Sequence, residues 1–228
     1  MDVTTPRALV IAIDGPSGAG KGTVSRTIAE RLSYRHIDTG AMYRAVAWLA
    51  LDEAIDLADG AAVAALAASA VFDLAGGVQI NGRDVTSAIR TPGIDAAAAI
   101  VAQLLPVRTV LVERQRQLGR AGGVVMEGRD ICSVVFPGAD VKVYLDASPE
   151  ERAQRRVRDE AHAASREAGG VARVADALEA RDRADRTRSA SPLMVPPDAV
   201  YIDTTGMPIE QVVDQVMSIV DARLAPAG

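Results

Sequence analysis

The chain has one cysteine, Cys132, and two lysines, Lys21 and Lys142, in 228 residues. A single thiol excludes an internal disulfide and a cysteine-built metal cluster, which matches a reducing compartment. Long apolar runs are missing too. ALVIAI (8–13) is short for a secretory core, and AAVAALAASAV (61–71) is about half of the ~20 residues that a bilayer span needs. Nor is there an excess of positive charge: at a net charge of −5 the molecule has no electrostatic reason to sit on nucleic acid or anionic lipid. Any basic site must be local. A soluble, cytoplasmic protein without nucleic-acid or membrane partners is the expectation.

What the chain does have is 49% hydrophobic residues, enough for one well-filled core. It also has 23 arginines against two lysines, a bias that a G·C-rich coding sequence produces, so any one arginine is weaker functional evidence than usual. Short apolar runs bounded by turn residues occur at RALVIAID (7–14), RHID (35–38), GVVMEG (123–128), VKVYLD (141–146) and AVYID (199–203). Helical stretches alternate with them, among them VSRTIAERL (24–32) and PIEQVVDQVMSIVDARL (208–224). A further helix begins at Ser148, with Pro149 at its first position and Glu151 three residues after the cap. This alternation predicts an α/β fold with a parallel sheet covered on both faces. VFDLAGGVQINGRDVTSAI (71–89) breaks the rhythm: its β-type runs are separated by Ala-Gly-Gly and Asn-Gly-Arg, hairpin spacings that predict a small antiparallel insert. AGG (168–170) is the best candidate for a flexible joint.

The first apolar run leads into GPSGAGKGT (15–23). A phosphate-binding P-loop asks for Gly, four residues, Gly, Lys and then Ser or Thr; here Gly22 follows Lys21 and the hydroxyl arrives one residue late, at Thr23. Strand before and helix after fit a phosphate cradle, with converging backbone N–H groups, a helix N-terminus and Lys21 reaching the terminal phosphates. A dinucleotide loop needs Gly-x-Gly-x-x-Gly, which this run does not supply. No Asn-Lys-x-Asp stretch occurs that would read guanine.

DTGAMYR (38–44) and EGRD (127–130) end strands on the same edge as that loop, so Asp38, Thr39, Tyr43 and Arg44 should face the crevice. Arg44 and Arg129 then converge as a phosphate clamp would. In RDRADRTR (181–188), Arg181, Asp185 and Arg188 share a helix face and Asp182 pairs with Arg186 at i, i+4; taken alone, this is a solvated ladder of ion pairs. ERAQRRVRD (151–159) carries Arg152, Arg155 and Arg156, which an arm moving about the AGG joint would bring onto donor phosphates, although normal helical Glu and Arg pairing explains it equally well.

In this order, IDGPSGAGKGT, DTGAMYR, GRD followed by VVFP (134–137), and RDRADRTR resemble the bacterial cytidylate kinase, or (d)CMP kinase, family over nearly the whole chain. The resemblance implies a five-stranded parallel sheet with helices on both faces, a monophosphate-binding region at about 39–107 that contains the insert, and a helical lid at about 155–183. It implies that Gly15, Pro16, Ser17, Gly18, Ala19, Gly20, Lys21, Gly22 and Thr23 hold ATP, with Mg²⁺ and Thr23 as a possible ligand through Mg-ATP. Thr39, Arg108 and Asp130 would read the cytosine, and Arg44, Arg129 and Arg188 would hold the phosphate of CMP or dCMP. Arg181 and Asp185 would lie near the sugar, and Arg155 and Arg156 would match the lid arginines. Lys21, Arg129, Arg188, Arg155 and Arg156 are the implied catalytic set, in a monomer. A carboxylate and a guanidinium suit cytosine independently, since its N4 amino group donates and N3 and O2 accept. Where the family commonly has DGRDIGT, this chain has EGRDICS, with Glu127, Cys132 and Ser133; Cys132 reads as buried packing. A serine the family often has near the sugar is missing from AAAAIVAQLLPVR (96–108). A kinase for UMP, AMP or a small alcohol, and a nucleotide-dependent switch ATPase, are the competing readings.

Overall fold

The computed structural model describes residues 8–158 and 170–225. Five strands, β1 (Val10–Asp14), β2 (Arg35–Asp38), β6 (Val124–Gly128), β7 (Val141–Asp146) and β8 (Val200–Asp203), form a parallel sheet in the order β2-β6-β1-β7-β8. Each lies where the apolar runs placed it. β1 alternates its side chains between two cores, because successive residues in a strand face opposite sides. Ile11 and Ile13 pack with Val24 and Ile28 of α1 (Lys21–Leu32) and with Val212, Val213, Val216 and Val220 of α8 (Ile209–Leu224). Ala12 faces Val112 of α5 (Leu105–Gly119), with Ile131, Cys132 and Val135. Both faces are therefore covered, as an all-parallel sheet requires.

Between β2 and β6, α2 (Thr39–Asp52), α3 (Gly60–Ser69) and α4 (Pro92–Val101) pack with α5 into a second core. On it sits the antiparallel sheet β3 (Phe72–Asp73), β4 (Gln79–Ile80) and β5 (Arg83–Asp84). Asn81 and Gly82 both have positive φ, 52° and 74°, which is the geometry a two-residue hairpin loop demands. The insert is where its turn residues put it.

α6 (Pro149–Arg158) is capped as expected, the Glu151 N–H donating to Ser148 Oγ at 3.2 Å. α7 (Gly170–Thr187) packs against it. Residues 159–169, the middle of the expected lid and most of the AGG joint, lie outside the described residues. Among the described residues no single helix is long and apolar enough to cross a membrane.

Candidate active site

The register of the sheet brings Asp14, Asp38, Glu127 and Gly128 to one edge, where β1 is flanked by β6 and β7. Beyond it opens a crevice of about 1270 Å³, larger than the ~300–1,000 Å³ typical of a single ligand site. Lining it are the P-loop from Ser17 to Thr23 and Thr39, Arg44, Arg108, Arg129, Asp130, Arg155, Arg156, Arg181, Asp185 and Arg188. Residues from four separated motifs thus meet at one opening.

The loop leaves β1 at Gly15, whose φ is +148°; a Cβ there would lie 1.9 Å from the Leu145 carbonyl oxygen, so the sheet itself requires glycine. Gly22 is different. It has ordinary helical backbone, and its missing side chain makes room for Glu127, whose Oε1 lies 3.3 Å from where a Cβ would be. Glu127 is held there by His36, Nε2 to Oε1 at 2.9 Å. Lys21 is buried and donates from Nζ to the Pro16 carbonyl at 2.7 Å. Burial, followed by the nearby Arg129 charge, pushes its pKa down to about 7.

The expected ladder in 181–188 is not a solvated one. Asp182 pairs with Arg152 rather than with Arg186; both are buried, and both bind the back of the P-loop. Arg152 Nη1 donates to the Ser17 carbonyl at 3.1 Å, and the Ser17 N–H donates to Asp182 Oδ1 at 3.3 Å. Arg152 therefore serves the scaffold and is not aimed at donor phosphates. Asp182→Ala is expected to destabilise the protein by ~3–5 kcal/mol, because Arg152 would remain buried without its carboxylate. Urea denaturation measures this, and a loss below about 1 kcal/mol would show the pair to be dispensable.

At the inner end, Arg108 Nη2 donates to Asp130 Oδ2, and both residues are buried. Arg108 also lies over the Tyr43 ring at 5.6 Å. Arg188 Nη2 approaches Asp130 Oδ1 only to 3.8 Å, beyond a hydrogen bond. Arg108 Nε and Arg188 Nη2 are buried without hydrogen-bond partners, so both donors are available at this end of the crevice. Thr39 does not join them through its proton. Its hydroxyl donates to the Glu127 carbonyl at 2.7 Å, leaving only its lone pairs for a base.

Arg129 donates from Nε to Asp185 at 3.0 Å, and Arg188 Nη1 reaches the same carboxylate at 3.5 Å. Arg181 is pushed down to about 10 by burial and then by the charges of Arg44 and Arg129, so these three cations crowd one another. Lys21 feels Arg129 as well. Each of the three arginines is also paired with a carboxylate, Asp95 or Asp185, so the wall carries both signs of charge. The expected lid pair separates: Arg155 donates to the Thr204 hydroxyl and carbonyl at 2.8 and 2.6 Å beside the P-loop, whereas Arg156 reaches Asp95 at 2.8 Å on the opposite wall.

Two carboxylates were missed by sequence reasoning. Asp14 accepts from the Ile131 and Cys132 N–H groups at 3.0 and 2.7 Å, pinning the loop that carries Arg129 and Asp130; burial pushes its pKa up to about 6. A charge closing an otherwise apolar strand was the available signal. Asp95 on α4 had none, and it meets Arg44, Arg156 and Arg181. Cys132 is buried as expected, and desolvation raises its thiol pKa far above the ordinary value.

A model of the family described as cytidylate kinase matches residues 11–222. This chain belongs to the cytidylate kinase family. A cytidylate kinase of Solibacter usitatus is 43% identical over 97% of this chain and 96% of its own length. One from Pelotomaculum thermopropionicum is 47% identical over 93% and 96%. A crystal structure of an uncharacterized protein from Eubacterium ventriosum has a TM-score of 0.51 at 10% identity, covering 94% of this chain and 99% of that one; it bears on the fold alone. The cytidylate kinase match spans β1 to α8, so the loop, both strand-end motifs and the 181–188 helix all fall inside it.

Proposed function

We propose that the crevice binds ATP on the P-loop and CMP or dCMP on the far wall, and that the arginines between them govern the transfer. The reaction is that of the cytidylate kinase family: this chain phosphorylates CMP and dCMP at the expense of ATP. An oxygen of the acceptor phosphate attacks the terminal phosphorus of ATP, the bond from that phosphorus to the bridging oxygen breaks, and ADP leaves with CDP or dCDP as product. The attacking oxygen is already ionised, so no general base is needed, and positioning with charge stabilisation does the work.

The observation that carries the assignment of the acceptor end is the buried Arg108–Asp130 pair beside two unsatisfied guanidinium nitrogens. Asp130 accepts from the cytosine N4 amino group, Arg108 donates to N3 or O2, and Thr39 offers an acceptor. Arg44, Arg129 and Arg188 hold the acceptor phosphate, with Arg181 and Asp185 near the sugar. Gly15 to Thr23 cradle the donor phosphates, and Lys21 leaves the Pro16 carbonyl to neutralise the transferred group. Arg155 and Arg156 act on that group from the lid, about 155–183, as it closes against the monophosphate-binding region, about 39–107; closure excludes water that would otherwise take the phosphoryl group.

Mg²⁺ that arrives with ATP needs only one or two protein ligands. The residues fit: Thr23 is exposed in the first turn of α1, and Glu127 stands beside the gap at Gly22. These two would hold it, and the ion would supply neutralisation of the donor phosphates. The same reading has a monomer working in the cytoplasm; a net charge of −5 supports its working apart from nucleic acid and anionic membranes.

Initial rates with ATP and a panel of CMP, dCMP, UMP, AMP and small alcohols test the assignment. CMP and dCMP should be fastest. Faster turnover of UMP or AMP would overturn the cytosine reading, and ATP hydrolysis independent of CMP, with no CMP binding by calorimetry, would favour a switch.

A further inference from the structure

One carboxylate gathers three arginines of the crevice. Asp95 lies in the first turn of α4, where Thr91 caps the helix. Arg44 Nε reaches it from α2 at 2.9 Å, Arg156 Nη2 from α6 at 2.8 Å, and Arg181 Nη1 from α7 at 3.5 Å. The carboxylate is 18% exposed and opposes three cations from three different elements. Burial alone would raise its pKa, but Arg44, Arg156 and Arg181 hold it down at about 2, so it is charged at any working pH. A second carboxylate, Asp38, stands 4.0 Å from Arg44 and 3.6 Å from Arg90.

Arg44, which Asp95 neutralises at 2.9 Å, belongs to the set assigned to the acceptor phosphate, and Arg181 lies beside it near the sugar. We propose that Asp95 is an internal competitor for the acceptor phosphate, occupying the guanidinium of Arg44 until the monophosphate takes it over while Arg156 and Arg181 are held on the same carboxylate, and so setting the affinity for CMP and dCMP. The proposal rests on the assignment of Arg44 and Arg181 to the acceptor wall. Two consequences follow from charge alone. With no nucleotide bound, Asp95 keeps mutually repelling arginines in place, so the wall is preorganised. With nucleotide bound, a carboxylate and a phosphate share Arg44, so part of the binding free energy is lost to their repulsion. Arg156 belongs to the lid region and Asp95 to the opposite wall, so exchange of partners at Asp95 also loosens this contact between the two.

Asp95→Asn keeps the shape and removes the charge. Calorimetry without ATP should show the variant binding inorganic phosphate and CMP about tenfold more tightly than the wild-type protein, while cytidine, which lacks the phosphate, binds equally to both. The KM for CMP should fall by a similar factor with kcat little changed. Unchanged or weaker binding of phosphate and CMP would overturn the proposal and make Asp95 a scaffold for the arginines; a parallel gain for cytidine would overturn it also. Asp95→Ser provides the same readout if the Asn variant does not fold. Phosphate binding is read without turnover, so its outcome is separate from that of the acceptor panel: a wild-type protein that phosphorylates CMP, with a variant that binds phosphate no better, sinks this inference and leaves the function standing.

Discussion

Asp130→Asn is expected to lower the preference for CMP over UMP, measured as the ratio of their kcat/KM values, by ~10²-fold or more. A site built to pair a base edge can discriminate by ~10⁴, because the wrong base leaves buried polar groups unmatched. Cytosine presents an N4 donor to a carboxylate, and uracil presents the O4 acceptor. An amide can turn its NH₂ toward O4, so the substitution removes the penalty against uracil while keeping the volume. Asp130 is buried and fixed by Arg108, with Arg188 3.8 Å away, so the carboxylate has little freedom to move aside. Asparagine also leaves both guanidiniums less neutralised, so some loss of stability should accompany the change. An unaltered CMP to UMP ratio in a folded variant would show that Asp130 does not read the base.

Lys21→Met should lower kcat by ~10²- to 10³-fold, the usual cost of removing one preorganised donor from a developing charge. The lysine's pKa adds a signature that loss of packing would not produce. With its pKa at about 7 in the nucleotide-free protein, Lys21 is largely neutral at pH 8, and donor phosphates beside it favour the charged form. ATP binding at pH 8 should therefore take up close to one proton in the wild-type protein and less in Lys21→Met, as calorimetry in buffers of different ionisation heat would reveal. The same shift acts on folding. Between pH 7 and the ordinary lysine value of 10.5, the unfolded chain holds the proton that the folded one has lost, so wild-type stability should rise with pH across that window relative to Lys21→Met. Equal proton uptake by both proteins would remove Lys21 from the phosphate site.

Most of the scaffold was legible because its signals are local. Apolar runs of four to six residues ending in glycine or aspartate mark the five parallel strands, and Asn81-Gly82 marks the hairpin, since only residues that tolerate positive φ close a two-residue loop. The helix after the P-loop begins three residues earlier than its apolar spacing indicated, at Lys21, because Gly20 in the left-handed region lets the chain turn directly into it. Arg44, Arg108, Arg129, Asp130, Arg181, Asp185 and Arg188 do line one crevice. Apart from Arg108 on α5, which the family resemblance alone singled out, their motifs end strands or share a helix face, and such positions follow from periodicity.

Partner choice did not follow from it. On 181–188, helical spacing pointed to Asp182 with Arg186, yet Asp182 meets Arg152, thirty residues away in the chain, and only Arg183 makes an exposed i, i+4 pair, with Glu179. Arg152, Arg155 and Arg156 look equivalent in sequence and have three different environments: the back of the P-loop, Thr204 and Asp95. Gly22 and Glu127 each depart from a familiar pattern, and only their proximity joins them into one feature. By itself the sequence determined the family, the strands, the phosphate loop and the arginine supply, because these depend on residue type and short-range period. The tertiary structure decided which carboxylate neutralises each arginine and which guanidinium nitrogens stay unpaired. An ion pair needs no particular sequence separation, and packing alone sets which charges lie within a few ångströms of one another.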